Sequence, residues 1–248
     1  MLSAALLGLA GTAIGLAIGS TGIGGVLLVP FLAYVVGLPV PSAIADALWS
    51  YLWSGIVAAV LYGRRGSIAW RMAAWLCGAA VPGAFLGAEA VPLVPAGVLE
   101  GLIAALLLAA GANALRPARD LSPGRRLSRG ALVGLGAFTG FGSALVGGGG
   151  AFILVPLLAA LGQPLLLSVG LAQAIQIPIS AVATLANVSA GRVDFAFASL
   201  LAATLALGTA LGVPLAHALP QRALRRLLAV TMLLAGAAIV ARLALSAA

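Results

Sequence analysis

The sequence predicts an all-α polytopic membrane protein, and three observations predict it. Of its 248 residues, 63% are hydrophobic and only 7% charged, too few charges to solvate the surface of a water-soluble domain. The mean hydropathy is +1.21, and the apolar residues gather into runs of membrane-spanning length. All 13 basic residues are arginines, and most stand in short gaps between those runs, as in cytoplasmic loops. The net charge of +8 therefore reports membrane orientation, and no nucleic-acid partner is expected.

In chain order the apolar runs cover 2–19, 24–37, 42–62, 69–90 and 95–115, then 131–146, 150–162, 167–189, 195–216 and 221–244. The first run lacks the basic start and cleavage site of a secretory signal, so a retained membrane segment is expected. The runs 24–37 and 150–162 are too short to span about 30 Å of hydrocarbon as helices. They are expected to be parts of broken or re-entrant helices near the midplane. The polar stretch RPARDLSPGRRLSR, Arg116–Arg129, holds five arginines, two prolines and one aspartate. It divides a first membrane repeat (1–115) from a second (131–248), with 116–130 as a cytoplasmic linker.

The halves match one another. A shift of 126 places Gly22 on Gly148, Gly24 on Gly150, Leu28-Val29-Pro30 on Leu154-Val155-Pro156, Ser42 on Ser168 and Ser54 on Ser180. A shift of 125 then places Gly66 on Gly191, Gly83 on Gly208, Gly87 on Gly212, Pro95 on Pro220 and Gly111 on Gly236. Punctuating residues held in register over such a length indicate an internal duplication. Equivalent loops differ in charge, however. Arg64, Arg65 and Arg71 face Arg192 balanced by Asp194, and Glu100 falls opposite Arg225. If cytoplasmic loops collect arginine, the repeats are inverted.

Broken backbone inside hydrocarbon must be satisfied by protein, water or substrate. Inverted repeats with interrupted helices are the layout of many secondary transporters. The clusters Gly22, Gly24, Gly25 and Gly148, Gly149, Gly150 each open a short segment ending in Leu-Val-Pro. Free N–H groups at two such helix starts suit an anion, and glycine permits close approach. Ser20, Thr21 and Ser143 are candidate hydroxyl donors beside them. Close glycine-mediated helix packing is the competing explanation, and the expected one for isolated glycines such as Gly83 and Gly208.

Asp46, in an apolar run followed by Trp49, Ser50, Tyr51, Trp53 and Ser54, is a candidate for proton coupling. Its competing placement is at the membrane interface, solvated beside an aromatic belt. Gln173 and Gln176, three residues apart and so on one helical face, are candidates to line a polar path. Asn187, Asp194 and His217 are expected near segment ends facing water, and Glu89 and Glu100 flank a loop. The single Cys77 excludes an internal disulfide and reads as a packing residue. No carboxylate or histidine stands in a metal-ligand spacing, and no P-loop or nucleophile elbow occurs. Neither enzymatic activity nor a cofactor or metal is expected.

The pair GIGGVLLVP (Gly22–Pro30) and GGGGAFILVP (Gly147–Pro156) resembles the TauE/SafE family, as do RRGSIAW (Arg64–Trp70) with GRVDF (Gly191–Phe195) and GAFLGA (Gly83–Ala88) with GTALGV (Gly208–Val213). The resemblance implies a bacterial inner-membrane protein associated with export of sulfite or organosulfonates. The combined reading is an alternating-access carrier of a small anion, such as sulfite or sulfoacetate, lying in the lipid bilayer and driven by H+ or Na+. An anion channel and a non-transporting membrane scaffold are the alternatives.

Overall fold

The computed structural model describes residues 4–22, 24–115, 127–218 and 221–247, which are helical apart from short turns. The helices are α1 (Ala4–Thr21), α2 (Gly24–Val36), α3 (Val40–Arg64), α4 (Trp70–Ala90), α5 (Ala96–Leu115), α6 (Arg129–Val146), α7 (Ala151–Ala160), α8 (Leu165–Ser189), α9 (Phe195–Ala218) and α10 (Gln221–Ala247). Among the described residues, five helices, α3, α4, α6, α8 and α9, are long and apolar enough to cross a membrane. α2 is irregular: a 3-10 turn at Gly24–Leu27, an α-helical turn at Leu28–Pro30, then a π-helical stretch at Phe31–Val36.

Helix ends follow local chemistry. Ser128 accepts a 3.2 Å hydrogen bond from the Ala131 N–H and so opens α6. Asp194 does the same for α9, accepting from the N–H groups of Ala196 and Phe197 at 3.1 Å each. Pro39 and Pro164 precede α3 and α8, each with the extended ψ that keeps a chain out of the preceding helix. The reversals from α3 into α4 and from α8 into α9 run through Gly66 and Gly191, at φ +68° and +66°.

Hydrophobicity cannot drive one apolar helix onto another inside lipid, so packing depends on how near the backbones can come. Glycines at four-residue spacing set that distance here. A Cβ on Gly83 or Gly87 of α4 would overlap the carbonyl oxygens of Ala137 or Phe141 on α6. A Cβ on Gly136 or Gly140 of α6 would in turn overlap those of Leu76 or Ala80. The α1–α9 pair is built alike: Gly208 and Gly212 lie on the carbonyls of Thr12 and Leu16, and Gly15 and Gly19 on those of Leu205 and Thr209. Three contacts recur 125 residues away with the halves exchanged: Gly83–Ala137, Gly87–Phe141 and Gly140–Ala80 correspond to Gly208–Thr12, Gly212–Leu16 and Gly15–Leu205. The outward residues are large and apolar, among them Trp70, Leu86, Phe138, Leu207 and Leu234.

The same contacts define directions. Contacts advance together along α1 and α9, along α4 and α6, and along α3 and α9, where Asp46 meets Asp194 and Ser50 meets Ala198. α5 and α10 are antiparallel, since Gly111 packs on Leu233 and Gly236 on Leu108. α1 therefore runs the same way as α3, and the intervening α2 returns the chain to the face where α1 began. One face of the bundle receives the end of α3 and the starts of α4, α6 and α10, carrying Arg64, Arg65, Arg71, Arg129, Arg222, Arg225 and Arg226. Both ends of the polar connection, Leu115 and Leu127, lie on that face too. The opposite face holds Arg192 and Arg242.

Two outcomes are expected. Gly83→Ala and Gly208→Ala each destabilise the detergent-solubilised protein by about 1–3 kcal/mol of overpacking. Gly78→Ala, whose Cβ would meet nothing within 4 Å, leaves the unfolding temperature unchanged or slightly higher. In a Cys77→Ala background, single cysteines replacing Arg64 and Arg226 share one accessibility to an impermeant thiol reagent, and one replacing Arg192 has the opposite. Arg226 labelling together with Arg192 would contradict these helix directions.

Candidate functional site: two glycine breaks in contact

α1 and α6 end on glycines in the left-handed region. Gly22, at φ +74°, donates its N–H to the Ile18 carbonyl at 2.8 Å; Gly147, at φ +67°, donates to that of Ser143 at 2.9 Å. The pairing Gly22 with Gly147 corrects the register of Gly22 with Gly148 read from the sequence. The second break is one residue longer, with Gly149 at φ +71° as a further left-handed residue. Leu28-Val29-Pro30 and Leu154-Val155-Pro156 therefore stand 126 apart, whereas Gly37 and Gly162, which close the short segments at φ +87° and +78°, stand 125 apart. The π-helical stretch of α2 accounts for the difference, because a π turn accommodates one extra residue. The paired starts of α3 and α8, Val40 and Leu165, also differ by 125, so Ser42 and Ser168 are not equivalent, and neither are Ser54 and Ser180.

The breaks meet. A Cβ on Gly25 would lie 2.9 Å from the Gly148 carbonyl oxygen. Each break also rests on the other half's short helix: a Cβ on Gly22 would lie 3.3 and 3.4 Å from Val155 and Ala151, and one on Gly147 would lie 3.0 Å from Val29. The structure thus brings the predicted site residues of both halves into one buried region. Gln173 and Gln176 join it from α8. The Gln173 amide donates to the Ile18 carbonyl at 2.8 Å, directly under Gly22, and its Oε1 is buried without a partner. Gln176 donates to the Tyr51 carbonyl at 2.9 Å, and its Oε1 lies 3.0 Å from where a Cβ on Gly149 would stand.

The hydroxyls are differently engaged than expected. Ser20 donates to the Leu16 carbonyl at 2.6 Å, Thr21 to that of Ala17 at 2.9 Å, and Ser143 to that of Gly149 at 3.1 Å. Their protons point at backbone, not into the space between the breaks. Gly24 and Gly150 are tightly enclosed as well: a Cβ would come within 2.5 Å of Ala17 and 2.8 Å of Ile175, respectively. A Cβ on Gly148 would overlap the Phe152 ring.

Sequence reasoning missed Tyr51 as part of the site. Its hydroxyl donates to the Gly25 carbonyl, and it occupies the place in α3 that Gln176 occupies in α8, 125 residues on. That offset was the available signal. Ser54 and Thr209 extend the polar contacts: Gln176 lies 3.5 Å from Ser54 Oγ, which lies 3.3 Å from the Thr209 hydroxyl. Tyr62 donates to the Gly19 carbonyl at 2.9 Å.

Asp46 lies in α3 five residues, or about 7.5 Å of helix, before Tyr51. It is only 2% exposed, and its Oδ1 accepts a 3.0 Å hydrogen bond from the Asp194 N–H, which corrects the solvated placement. Asn187 is likewise buried and not water-facing, donating to the Ala183 carbonyl at 2.7 Å and accepting from Arg192 at 3.3 Å. Among the described residues, no three His, Cys, Asp or Glu side chains are grouped to hold a metal.

A family model described as sulfite exporter TauE/SafE matches residues 7–239. The chain belongs to the TauE/SafE family. Neither the curated proteins nor the solved structures compared with it gave a match. As a TauE/SafE protein it is a multi-pass membrane protein, and the matched span contains both glycine breaks and the five long apolar helices.

The Tyr51 contact is directly testable. Tyr51→Phe strands the Gly25 carbonyl in a buried position, at an expected cost of about 1–3 kcal/mol in thermal unfolding. An unchanged unfolding temperature would show that this carbonyl has another partner.

Proposed function

We propose that this TauE/SafE protein is a secondary carrier that exports a small sulfur oxyanion or organosulfonate, such as sulfite or sulfoacetate, across the bacterial inner membrane. The observation that carries this reading is the contact between the two breaks, with Gly25 against the Gly148 carbonyl. It sets the starts of α2 and α7 beside one another in a region lined by backbone and neutral side chains. An anion there is stabilised by N–H groups and helix dipoles, with no buried arginine needed. Sliding of the two halves against each other would open the region to either side in turn. In this reading the halves are an inverted duplication, which suits that motion; the antiparallel α5 and α10, and the α1–α9 and α4–α6 contacts that exchange the halves, support it. The arginine-rich face, with the 116–130 linker, is cytoplasmic in this reading.

Asp46 is the coupling group. It is the buried carboxylate among the described residues, and it joins α3 to the start of α9. Asp46→Asn keeps an oxygen that can accept from the Asp194 N–H but cannot titrate. Substrate binding is expected to persist while the proton dependence of transport in proteoliposomes disappears. Transport with its pH dependence intact in Asp46→Asn would remove this residue from the coupling and direct attention to Na+.

Substrate class is tested by thermal stabilisation of the purified chain with sulfite, thiosulfate, sulfoacetate, taurine and non-sulfur carboxylates. A true ligand at 100 times its Kd adds about 2.7 kcal/mol. Stabilisation by carboxylates but by none of the sulfur anions would refute the substrate assignment. Saturable flux with counterflow is expected of a carrier; flux without either would instead identify a channel.

A further inference from the structure

Away from the glycine breaks, α2 and α10 enclose a cavity of about 490 Å3, within the roughly 300–1,000 Å3 range of clefts that hold ligands. Its walls are apolar, with Pro30, Phe31 and Val35 on α2 facing Ala235, Ala238 and Ile239 on α10. One end is different. There the Arg242 guanidinium lies over the Tyr34 ring, 4.6 Å from its centroid. Tyr34 also interacts with Glu100, which is not among the residues that line the cavity. Arg242 itself has no carboxylate ion pair among the described residues.

The surroundings indicate what fills this space. Apart from Arg226 and Arg242, the exposed residues described on α10 are apolar, with Val230, Leu234, Val240 and Leu245 between 46% and 80% exposed, and Val35 on the opposite wall is 50% exposed. A helix surface of that kind faces hydrocarbon, so the groove opens sideways into the bilayer. Ala235 and Arg242 are seven residues apart, so the apolar part runs about 10 Å along the helix before reaching the charge. Near its helix end, Arg242 is placed to extend towards the headgroup level. A small hydrophilic anion would gain nothing from these walls. An acyl chain matches them, and a phosphate diester matches the planar donor fork of an arginine.

We propose that the α2–α10 groove is a phospholipid site, with an acyl chain between the helices and the lipid phosphate on Arg242. This goes beyond the carrier reading and does not depend on it. The occupied groove would brace α2, whose first turn holds Gly25 at the break, against α10.

The test is native mass spectrometry of the delipidated full-length chain titrated with dioleoyl phosphatidylglycerol. One lipid is expected to bind well above the background of weaker adducts. Arg242→Gln, which removes the phosphate contact, and Ala238→Phe, which fills the groove, are each expected to weaken that lipid at least tenfold. Both positions are exposed, so both variants are expected to remain folded and monodisperse in the absence of lipid, with Arg242→Gln losing only the contact with the Tyr34 ring. Inorganic phosphate at equal concentration is expected neither to bind nor to displace the lipid. Unchanged lipid affinity in either variant overturns the proposal, because both contacts are required. Displacement by inorganic phosphate also overturns it, and would reassign Arg242 to a small anion.

Discussion

Interrupting a helix inside a membrane leaves N–H and carbonyl groups with no water to take them, and most of this structure is organised around meeting that demand. α1 and α6 both stop within the bundle, and the polar backbone groups at the breaks are met partly by local bonds, Gly22 N–H to Ile18 and Gly147 N–H to Ser143, and partly by side chains. Tyr51 covers the Gly25 carbonyl, Gln173 covers that of Ile18, and Ser143 covers that of Gly149. Gln176 closes the set by binding the backbone of the helix that carries Tyr51. Unpaired, each such group would cost several kcal/mol in hydrocarbon. The breaks persist because α3 and α8 cross beside them and bring side chains of the right polarity.

That crossing depends in turn on glycine. In lipid the association of helices rests on close contact, and the α1–α9 and α4–α6 pairs reach it by placing glycine against a neighbour's carbonyl. The two pairs clamp the ends of the broken helices, so Gly22 and Gly147 emerge at fixed positions facing the opposite half. Packing and the candidate site are therefore not competing explanations of the glycines. Gly83 and Gly208 build the clamp, whereas Gly22 and Gly147 turn the chain at its end.

Charge is distributed in keeping with this plan. Ionisable groups are kept to the two faces, and Asp46 resolves its burial by capping the start of α9 through the Asp194 N–H. Asp194 caps the same helix through Ala196 and Phe197, so two carboxylates hold one helix start. The region between the breaks is lined by backbone dipoles and neutral polar side chains such as Gln173, Gln176 and Tyr51. At the other end of α2, Arg242 on Tyr34 ties the irregular helix to α10.

The sequence by itself determined the class of protein and the position of every element, because both follow from local quantities. A scarcity of charge can only be solvated by lipid, and apolar runs punctuated by glycine and proline mark where helices start and stop. The short lengths of 24–37 and 150–162 already required broken helices, and the glycine clusters were recognisable as the breaks. Matching punctuation also pointed to an offset between halves, and in the structure one residue more at Gly149 and one taken up by the π-helical stretch move Ser42 and Ser54 out of the register read with Ser168 and Ser180. Hydrogen-bond partners were not legible. Tyr51 looked like one aromatic among tryptophans, Asn187 looked solvated, Asp46 was a coupling candidate with a solvated placement as its rival, and Ser20 and Ser143 looked free. Which carbonyl Tyr51 reaches, and which helix start Asp46 caps, depends on contacts between residues 26 and 148 positions apart. Only the tertiary structure decided these, since a partner is chosen by how two distant helices cross and not by the pattern along either one.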